Sequence, residues 1–285
     1  MAYNEDQYIV DSHFHIWQLK RGDYHWLTPE ITTLYQDFSP QDYHLQSQPI
    51  TVYKAVVIQA AETDAETDYL LSKSEVEGIS AVVGWIDFES DIDNVLKRLA
   101  FLATHPAFKG VRPMLQDMDD VNWILNPDFQ PIFEHLTKHN LRFDALVRIG
   151  HLSAINKLAV QYPNLKIVID HCAKPNIAEC EFVEWALAIS SFATLKNIFI
   201  KVSGLTLEAN AEQQSVSDFK PYFNHVYQVF GANRMMWGSD WPVLNLQSNY
   251  ADWLHISQKL VEPLSLIEQQ RFWSGTATEF YNLGK

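Results

Sequence analysis

The stretch Tyr8-Ile-Val-Asp-Ser-His-Phe-His15 joins a short hydrophobic run to a pair of histidines. Successive side chains of a β-strand point to opposite faces, so Asp11, His13 and His15 are predicted to share one face. Two imidazoles that converge in this way can bind a metal ion or donate hydrogen bonds to a substrate oxygen. The stretch therefore predicts an opening strand that carries part of a reactive site, and later strands are expected to complete it.

Further hydrophobic runs follow this one, and a helical or loop segment separates each run from the next. The predicted strands are Tyr53–Ile58, Ile79–Trp85, Phe108–Met114, Leu141–Val147, Lys166–His171, Asn197–Val202 and Met235–Asp240. Repeated strand–helix units pair in parallel with right-handed crossovers, and about eight of them favour a closed barrel over an open sheet. The chain has 285 residues, which suits one such barrel, and no linker or internal repeat divides it. The predicted fold is an α/β (β/α)8 TIM barrel that forms a single domain over residues 1–285.

Local signals predict several of the intervening helices. Helices are expected over Asp64–Glu77, Asp91–Thr104 and His151–Tyr162. Asn126 and Pro127 are typical of a helix start, and Ser265 with Glu268 forms a capping-box pattern at the start of the last helix. The stretch from residue 18 to residue 49 shows no helical period, so a long functional loop is predicted there.

Composition and charge exclude several classes of function. Hydrophobic residues make up 47% of the chain and charged residues 20%, which is typical of a globular protein. A net charge of -14 argues against a nucleic-acid partner. No apolar run approaches the roughly 20 residues of a membrane span, and the first residues do not form a signal peptide. A cytoplasmic protein without a membrane partner is expected, and assembly of identical chains stays open.

Polar residues stand where the hydrophobic runs stop, and in such barrels the chemistry lies at the carboxyl ends of the strands. A single histidine at a strand end is best interpreted as a structural, hydrogen-bonded group. A whole set of ionisable groups is costly to bury unless they pair, bind metal or face a cleft. The set comprises His13, His15, Gln59, Glu62, Asp87, Arg112, Asp144 or Arg148, Asp170, His171, Lys174, Lys201, Ser203, Ser239 and Asp240.

Several of these residues allow two interpretations. Asp11 is expected to hold a neighbouring group from behind. Asp170 is interpreted equally well as a structural or as a site residue. Lys201 either binds substrate or pairs with a carboxylate as a structural cation. His25 and Trp26 either contact substrate or pack against the barrel. The other histidines, which lie on loops or predicted helices, are interpreted as structural or solvent-facing: His44, His105, His135, His139, His225 and His255.

Six motifs resemble those of the amidohydrolase superfamily. They are Val10-Asp-Ser-His-Phe-His-Ile-Trp17, Tyr24-His-Trp-Leu27, Gly110-Val-Arg112, Ile169-Asp-His-Cys-Ala-Lys-Pro175, Lys201-Val-Ser-Gly204 and Trp237-Gly-Ser-Asp-Trp-Pro242. They span nearly the whole chain and are most similar to the amidohydrolase-related (amidohydrolase 2) branch of sugar-lactone and dicarboxylate lactonases. The resemblance implies a (β/α)8 barrel and a hydrolase in which Asp240 is the general base on water. It also places His13, His15 and His171 at the active site.

The sequence departs from the two-metal amidohydrolases at two strand ends. Those enzymes supply a bridging lysine or glutamate at strand four and a histidine at strand five, where this chain has Arg112 and Asp144 or Arg148. A two-metal site is therefore not expected. One zinc held by His13, His15 and Asp240, with or without His171, stays open. Catalysis without a metal, in which the histidines act directly on the substrate, stays open as well.

The predicted function is hydrolysis of a small sugar-acid or dicarboxylate lactone to its hydroxy acid. Asp240 is expected to activate water while histidines polarise the carbonyl. The predicted substrate contacts are Arg112, Lys174, Lys201, Trp26 and His25, and loops 18–49 and 205–217 are expected to select the substrate. The alternatives are a metal-dependent non-oxidative decarboxylase of an aromatic or unsaturated acid, and a barrel that binds a ligand without turnover.

Overall fold

A computed structural model describes residues 8–47, 52–76 and 78–284. Three parts of the predictions fall outside these residues. They are the helix end at Glu77, the last residues of the predicted loop 18–49, and the first seven residues, over which no signal peptide is predicted.

Eight parallel strands form one sheet in the order in which they occur along the chain. They are β1 (Ile9–Phe14), β2 (Val52–Ile58), β3 (Ile79–Gly84), β4 (Phe108–Val111), β5 (Arg142–Ala145), β6 (Ile167–Ile169), β7 (Ile198–Val202) and β8 (Met235–Trp237). The predicted barrel is thereby confirmed. Several strands are shorter than predicted, because their polar carboxyl-terminal residues leave the hydrogen-bonded ladder and turn toward the barrel mouth. The largest corrections are at β4, which ends at Val111 instead of Met114, and at β8, which ends at Trp237 instead of Asp240. β5 ends at Ala145 instead of Val147, and β6 ends at Ile169 instead of His171.

Helices follow the strands; those between consecutive strands pack on the outside of the barrel, whereas the last helix packs against its interior layer. The helices are α1 (Pro40–Ser47), α2 (Asp64–Lys73), α3 (Ile92–Leu102), α4 (Gln130–Lys138), α5 (Leu152–Gln161), α6 (Phe182–Ser190), α7 (Val216–Phe230), α8 (Tyr250–Val261), α9 (Leu266–Gln270) and α10 (Thr276–Tyr281). The prediction of a loop throughout residues 18–49 is wrong, since α1 lies within it. This helix is short and is anchored by the buried Tyr43, so no hydrophobic period marks it. None of the described helices is both long enough and apolar enough to cross a bilayer.

Backbone hydrogen bonds between the two ends of the sheet close the barrel. Phe14 pairs with Trp241 in a parallel bridge, and the His15 amide donates to the Trp241 carbonyl at 2.7 Å. The Asp240 amide donates to the His13 carbonyl at 2.8 Å. We call these contacts between β1 and the residues after β8 the closing seam. They fix Asp240 beside His13 and His15.

The Asp11 carboxylate stabilises this seam. It accepts hydrogen bonds from the backbone amides of His13 (3.1 Å) and Ser239 (2.9 Å) and from the Tyr43 hydroxyl (2.8 Å). Burial raises the pKa of the Asp11 carboxyl to about 6, while the hydrogen bonds from Ser239 and Tyr43 oppose this shift. These contacts agree with the expectation that Asp11 holds a neighbouring group from behind.

The prediction that Asp11 shares a face with His13 and His15 is wrong. Val10 belongs to the apolar cluster inside the barrel, whereas Asp11 reaches outward to Tyr43 of α1. His13 then contacts groups in the barrel interior again. The pairing of β1 with β2 is irregular between Asp11 and Phe14, and this irregularity breaks the simple alternation of faces.

The interior of the barrel has an apolar lower layer. Side chains from six of the strands meet there those of α10 and the residues after it, including Phe280, Tyr281 and Leu283. Above this layer lie the charged groups Arg112, Asp144, Asp170 and Lys201, all of them buried. The carboxyl-terminal segment therefore supports the buried charges from below.

Glu66, in the first turn of α2, holds the segment that leaves β2. Its carboxylate accepts hydrogen bonds from the backbone amides of Ala60 and Ala61, and its own amide donates to the helix cap Thr63 at 3.0 Å. Burial raises the pKa of the Glu66 carboxyl from its ordinary 4.5 to about 8, against the lowering effect of the two amides.

The seam predicts the effect of Tyr43→Phe. Removing the hydroxyl leaves the buried Asp11 carboxylate with one donor fewer, and we expect the free energy of unfolding to fall by about 1–3 kcal/mol. Urea denaturation followed by circular dichroism measures the change. Tyr35→Phe is the control, because Tyr35 is exposed, and its effect should stay below about 0.5 kcal/mol. Unchanged stability of Tyr43→Phe would show that the seam does not need this bond.

Glu66 predicts a pH dependence of stability. Its pKa is higher in the folded state than in the unfolded chain, so between about pH 4.5 and pH 8 the folded protein binds the extra proton. Its contribution to stability is therefore largest below pH 4.5 and is lost as the pH rises toward 8. Unfolding free energies of wild type and Glu66→Gln, measured across this range, should diverge with that sign. Glu184→Gln on the exposed face of α6 is the control and should follow the wild type; parallel curves for Glu66→Gln would contradict the prediction.

Candidate active site

Three histidines and one aspartate meet at the carboxyl-terminal mouth of the barrel. His13 lies in β1 and His15 directly follows it, His171 follows β6 and Asp240 follows β8. The Nε2 atoms of His13 and His15 are 3.2 Å apart, and Asp240 Oδ1 lies 3.4 Å from Nε2 of His15 and 3.7 Å from Nε2 of His13. Asp240 Oδ2 lies 3.9 Å from Nδ1 of His171. The structure thus brings together the four residues for which the sequence predicted catalytic roles.

Left-handed backbone positions His171 and Asp240. The four consecutive residues His171–Lys174 have φ values from 51° to 59°, and Asp240 has φ 59°. This conformation costs a non-glycine residue about 1–2 kcal/mol, and such strain concentrates at functional sites. Gly204 (φ +67°) makes room for the His171 ring, since a Cβ there would lie 2.7 Å from Nδ1. The two strained turns therefore aim both side chains at the mouth.

Electrostatics keep the rings neutral and the Asp240 carboxylate charged. Burial lowers the pKa of His13, His15 and His171, the last of these to about 4. Burial alone would raise the pKa of Asp240, but the neighbouring His171, His15 and His13 rings become protonated at acid pH and then lower the pKa of Asp240 below its usual range. Near neutral pH the mouth therefore holds one anionic acceptor and three neutral imidazoles.

Lys201 lies beneath the histidines in a buried charge cluster. Its ammonium donates to Asp144 Oδ2 at 2.6 Å and lies 3.0 Å from Asp170 Oδ1 and 3.1 Å from Nδ1 of His13. Tyr281 of α10 donates a further hydrogen bond to Asp144 at 2.6 Å. Since the Lys201 side chain is fully buried, its position does not favour the predicted substrate contact and agrees with the alternative of a structural cation.

Arg112 joins the buried cluster to the mouth. Its Nη1 lies 3.3 Å from Asp170 Oδ2 and 3.4 Å from Nε2 of His13, and its Nη2 donates to the backbone carbonyl and the side chain of Gln59. Of the two candidates after β5, Asp144 enters this interior cluster while Arg148 is exposed. A guanidinium with one edge at the mouth suits an oxygen-rich ligand.

The other predicted substrate contacts lie around the rim. Lys174 ends the strained turn and lies 3.6 Å from Glu208, with its side chain 16% exposed. Trp26 is half-buried and donates from Nε1 to the Ala60 carbonyl at 2.7 Å, which holds it over the end of β2. His25 is exposed. Contact of Lys174, Trp26 and His25 with a substrate stays a prediction.

His13, His15 and Asp240 fit a single divalent ion. Ligands of a tetrahedral zinc with bonds of about 2.0 Å lie about 3.3 Å apart, and the three atoms of this group are separated by similar distances. Nδ1 of His15 lies 2.9 Å from the Ile58 carbonyl, the kind of partner that orients metal-binding histidines. His13, Asp170 and His171 form a second group of this kind among the described residues.

Three residues that support the site were not found from the sequence. They are Tyr43, which holds Asp11; Glu66, which holds the exit of β2; and Tyr281, which bonds Asp144 from the other end of the barrel. Their partners lie far away in the sequence, or in a segment whose geometry only the fold defines. The one local signal was the position of Glu66 three residues after Thr63, a capping pattern.

Comparison with known proteins agrees with this fold and site. Residues 10–283 match the family model described as Amidohydrolase. L-fucono-1,5-lactonase from Burkholderia ambifaria is 38% identical over 281 residues, which are 97% of this chain and 96% of that protein. Two solved structures of an amidohydrolase from Burkholderia multivorans cover 97% of this chain and 99% of their own. One has bound HEPES, with a TM-score of 0.90 and 28% identity. The other has bound zinc, with a TM-score of 0.88 and 27% identity.

The fold, the strand-end residues and these similarities lead to one conclusion: the chain belongs to the amidohydrolase family.

Proposed function

We propose that the protein hydrolyses the ester bond of a small sugar-acid lactone, with Asp240 as general base. The observation that carries the proposal is the position of the Asp240 carboxylate, whose oxygens lie 3.4–3.9 Å from ring nitrogens of three imidazoles. The similarity to L-fucono-1,5-lactonase over nearly the whole chain supports a sugar-acid lactone as the substrate class.

Asp240 activates the attacking water. Its carboxylate is buried yet stays ionised, so it can accept a proton in the absence of competing bulk water. A water between Asp240 and the paired rings of His13 and His15 would face a carbonyl bound at the mouth. The lactone carbonyl is electrophilic, and an alkoxide is a better leaving group than an amine. General-base catalysis of this kind contributes about 100- to 10,000-fold to a rate.

His13 and Arg112 stabilise the charge that develops on the carbonyl oxygen. His13 lies beside the Asp240 carboxylate, and Arg112 adds a guanidinium 3.4 Å from Nε2 of His13. Donors that are already in place need no reorganisation as the negative charge forms, and losing one donor costs about 100- to 1000-fold in rate.

His171 acts on the leaving oxygen. Its Nδ1 lies 2.9 Å from the Ser203 hydroxyl, which orients the ring. Ring opening converts the ester oxygen to an alkoxide, and the neutral His171 ring passes to this oxygen the proton that Asp240 removed from water, as the carbon–oxygen bond breaks. The proton that Asp240 removed from water is returned in the second step, so the hydroxy acid leaves with Asp240 ionised again.

His13, His15 and Asp240 would hold one zinc ion, as their geometry and the zinc in a related structure suggest. When bound, such an ion polarises the carbonyl and acidifies a bound water. The buried cations Lys201 and Arg112 beside His13 raise the electrostatic cost of adding this charge.

Groups at the rim hold the rest of the substrate. Arg112 and Lys174 supply cationic donors for hydroxyls or a carboxylate, and Trp26 and His25 supply ring surface. Residues 18–49, which include α1, and residues 205–217 select among lactones. We keep the cytoplasmic location and the assembly of identical chains as predictions from the sequence.

Asp240→Asn tests the proposed base. We expect kcat on the best lactone of a sugar-acid and dicarboxylate panel to fall by about 1000-fold, because asparagine cannot accept the proton from water. Asp93→Asn on the exposed face of α3 is the control and should retain activity. Undiminished turnover in Asp240→Asn would remove the base from the mechanism. Release of carbon dioxide from aromatic acids, with no lactone opened, would favour the decarboxylase alternative.

Gly204→Ala tests the placement of His171. A methyl group 2.7 Å from Nδ1 must displace the ring, so we expect kcat to fall by about 100-fold or more on the scale of a lost acid–base group. Gly22→Ala is the matched control: Gly22 has φ +74°, and nothing lies within 4 Å of its added Cβ. Both variants place a non-glycine residue at positive φ, but only Gly204→Ala crowds His171 and should lose turnover. Equal kcat values in the two variants would show that the position of His171 is unimportant.

A further inference from the structure

The Nδ1 atom of His13 has two buried neighbours of opposite hydrogen-bonding character. The Lys201 ammonium lies 3.1 Å away, and Asp170 Oδ1 lies 3.5 Å away. Asp170 Oδ1 has no hydrogen bond with correct geometry among the described residues, although Lys201 lies 3.0 Å from it. Nδ1 of His13 can therefore accept a hydrogen bond from the Lys201 ammonium, or donate one to the Asp170 carboxylate.

The shorter contact determines the direction. Lys201 lies between the carboxylates of Asp144 and Asp170, and an ammonium group can only donate hydrogen bonds. Nδ1 of His13 must then accept with its lone pair. A neutral imidazole carries one N–H, so in this arrangement the hydrogen of His13 lies on Nε2, which faces the mouth.

His15 has the opposite tautomer. Its Nδ1 lies 2.9 Å from the Ile58 carbonyl, which can only accept, so the hydrogen of His15 lies on Nδ1. Its Nε2 is then a lone pair, and the 3.2 Å contact between the two Nε2 atoms becomes a hydrogen bond from His13 to His15. In the reverse tautomer, the Nδ1 hydrogen of His13 would point at the Lys201 ammonium, and the Nε2 lone pairs of His13 and His15 would point at each other.

We propose that Lys201 is a positioning residue that, through Nδ1 of His13, makes His13 the proton donor and leaves His15 the acceptor at the mouth. The inference rests on the proposed lactone hydrolysis and gives His13 and His15 different roles in it. Nε2–H of His13 and Nη1 of Arg112, 3.4 Å apart, are both donors, and they cannot satisfy each other. When substrate binds, one of its oxygens accepts from both, and the hydrogen bond from His13 to His15 is replaced by this contact, which frees the Nε2 lone pair of His15.

The same assignment gives His15 a different task. Its Nε2 lone pair and Asp240 Oδ1 are two acceptors 3.4 Å apart with no proton between them. A water molecule placed there donates one hydrogen to each, which directs its own lone pair at the carbonyl. Lys201 thereby assigns the oxyanion to His13 and the attacking water to His15, although Lys201 itself does not contact the substrate.

Metal binding at His13 would require the other tautomer. Coordination through Nε2 leaves the ring proton on Nδ1, where Asp170 Oδ1 is placed to accept it and Lys201 opposes it. Removing the lysine should therefore favour zinc. This consequence can be measured without any substrate.

The direct test is the nitrogen spectrum of the His13 ring in the wild-type protein. With 15N-histidine labelling, assignment by the signal lost in His13→Asn, and metal-free buffer, we expect Nδ1 at the unprotonated position and Nε2 at the protonated position. The reverse pattern overturns the inference. This readout does not depend on turnover, so it stands even if no lactone is hydrolysed, in which case the proposed function fails and the tautomer assignment does not.

Lys201→Met supplies the second test, with Tyr281→Phe as the matched control. Both variants remove a donor to Asp144, but only the first removes the donor to His13. We expect Lys201→Met to move the His13 hydrogen to Nδ1, to bind zinc at least tenfold more tightly in a chelator competition, and to lose about 100- to 1000-fold in kcat with a smaller change in KM. Tyr281→Phe should keep the wild-type tautomer and zinc affinity. Equal zinc affinity and tautomer in Lys201→Met and wild type would overturn the inference; if Lys201→Met does not fold, the wild-type spectrum decides it.

Discussion

The site depends on the hydrogen bonds that close the barrel between β8 and β1. The Asp11 carboxylate accepts from the amides on both sides of this seam, at His13 and at Ser239, and the Tyr43 hydroxyl covers its remaining oxygen. Because the next residue after Ser239 is Asp240, the seam sets the separation between the proposed base and the paired histidines. The alignment of residues more than 200 positions apart in the sequence thus follows from one buried carboxylate.

The second constraint is charge. Two cations and two aspartates lie buried under the mouth, and removing each such ion from water costs several kcal/mol unless partners compensate. Here each ion has more than one partner: Lys201 contacts Asp144 and Asp170, and Arg112 contacts Asp170 and Gln59. Such a cluster is a poor way to gain stability. We infer that the cluster instead orients the imidazole of His13 and holds the Arg112 guanidinium where the proposed reaction places the substrate oxygen.

Strain and charge reinforce each other at the mouth. The left-handed turns that carry His171 and Asp240 are unfavourable locally, and burial of the Asp240 carboxylate is unfavourable as well. The surrounding barrel and the neighbouring rings compensate for both. The proposed base is therefore an ionised carboxylate that is shielded from bulk water, next to rings that are neutral near pH 7. Lactone hydrolysis needs this combination, since the water must lose a proton while the carbonyl oxygen gains charge.

The sequence by itself determined the barrel and the composition of its mouth. Parallel strand–helix units leave local patterns, and polar residues that end buried strands must meet at one edge, so His13, His15, His171 and Asp240 could be grouped in advance. Only the tertiary structure decided the direction of Asp11, the burial of Lys201 and the contributions of Tyr43, Glu66 and Tyr281. The face of a strand residue changes with a register irregularity, and the partner of a buried ion depends on distances between remote segments. Neither is encoded in the spacing of residues along one stretch of chain.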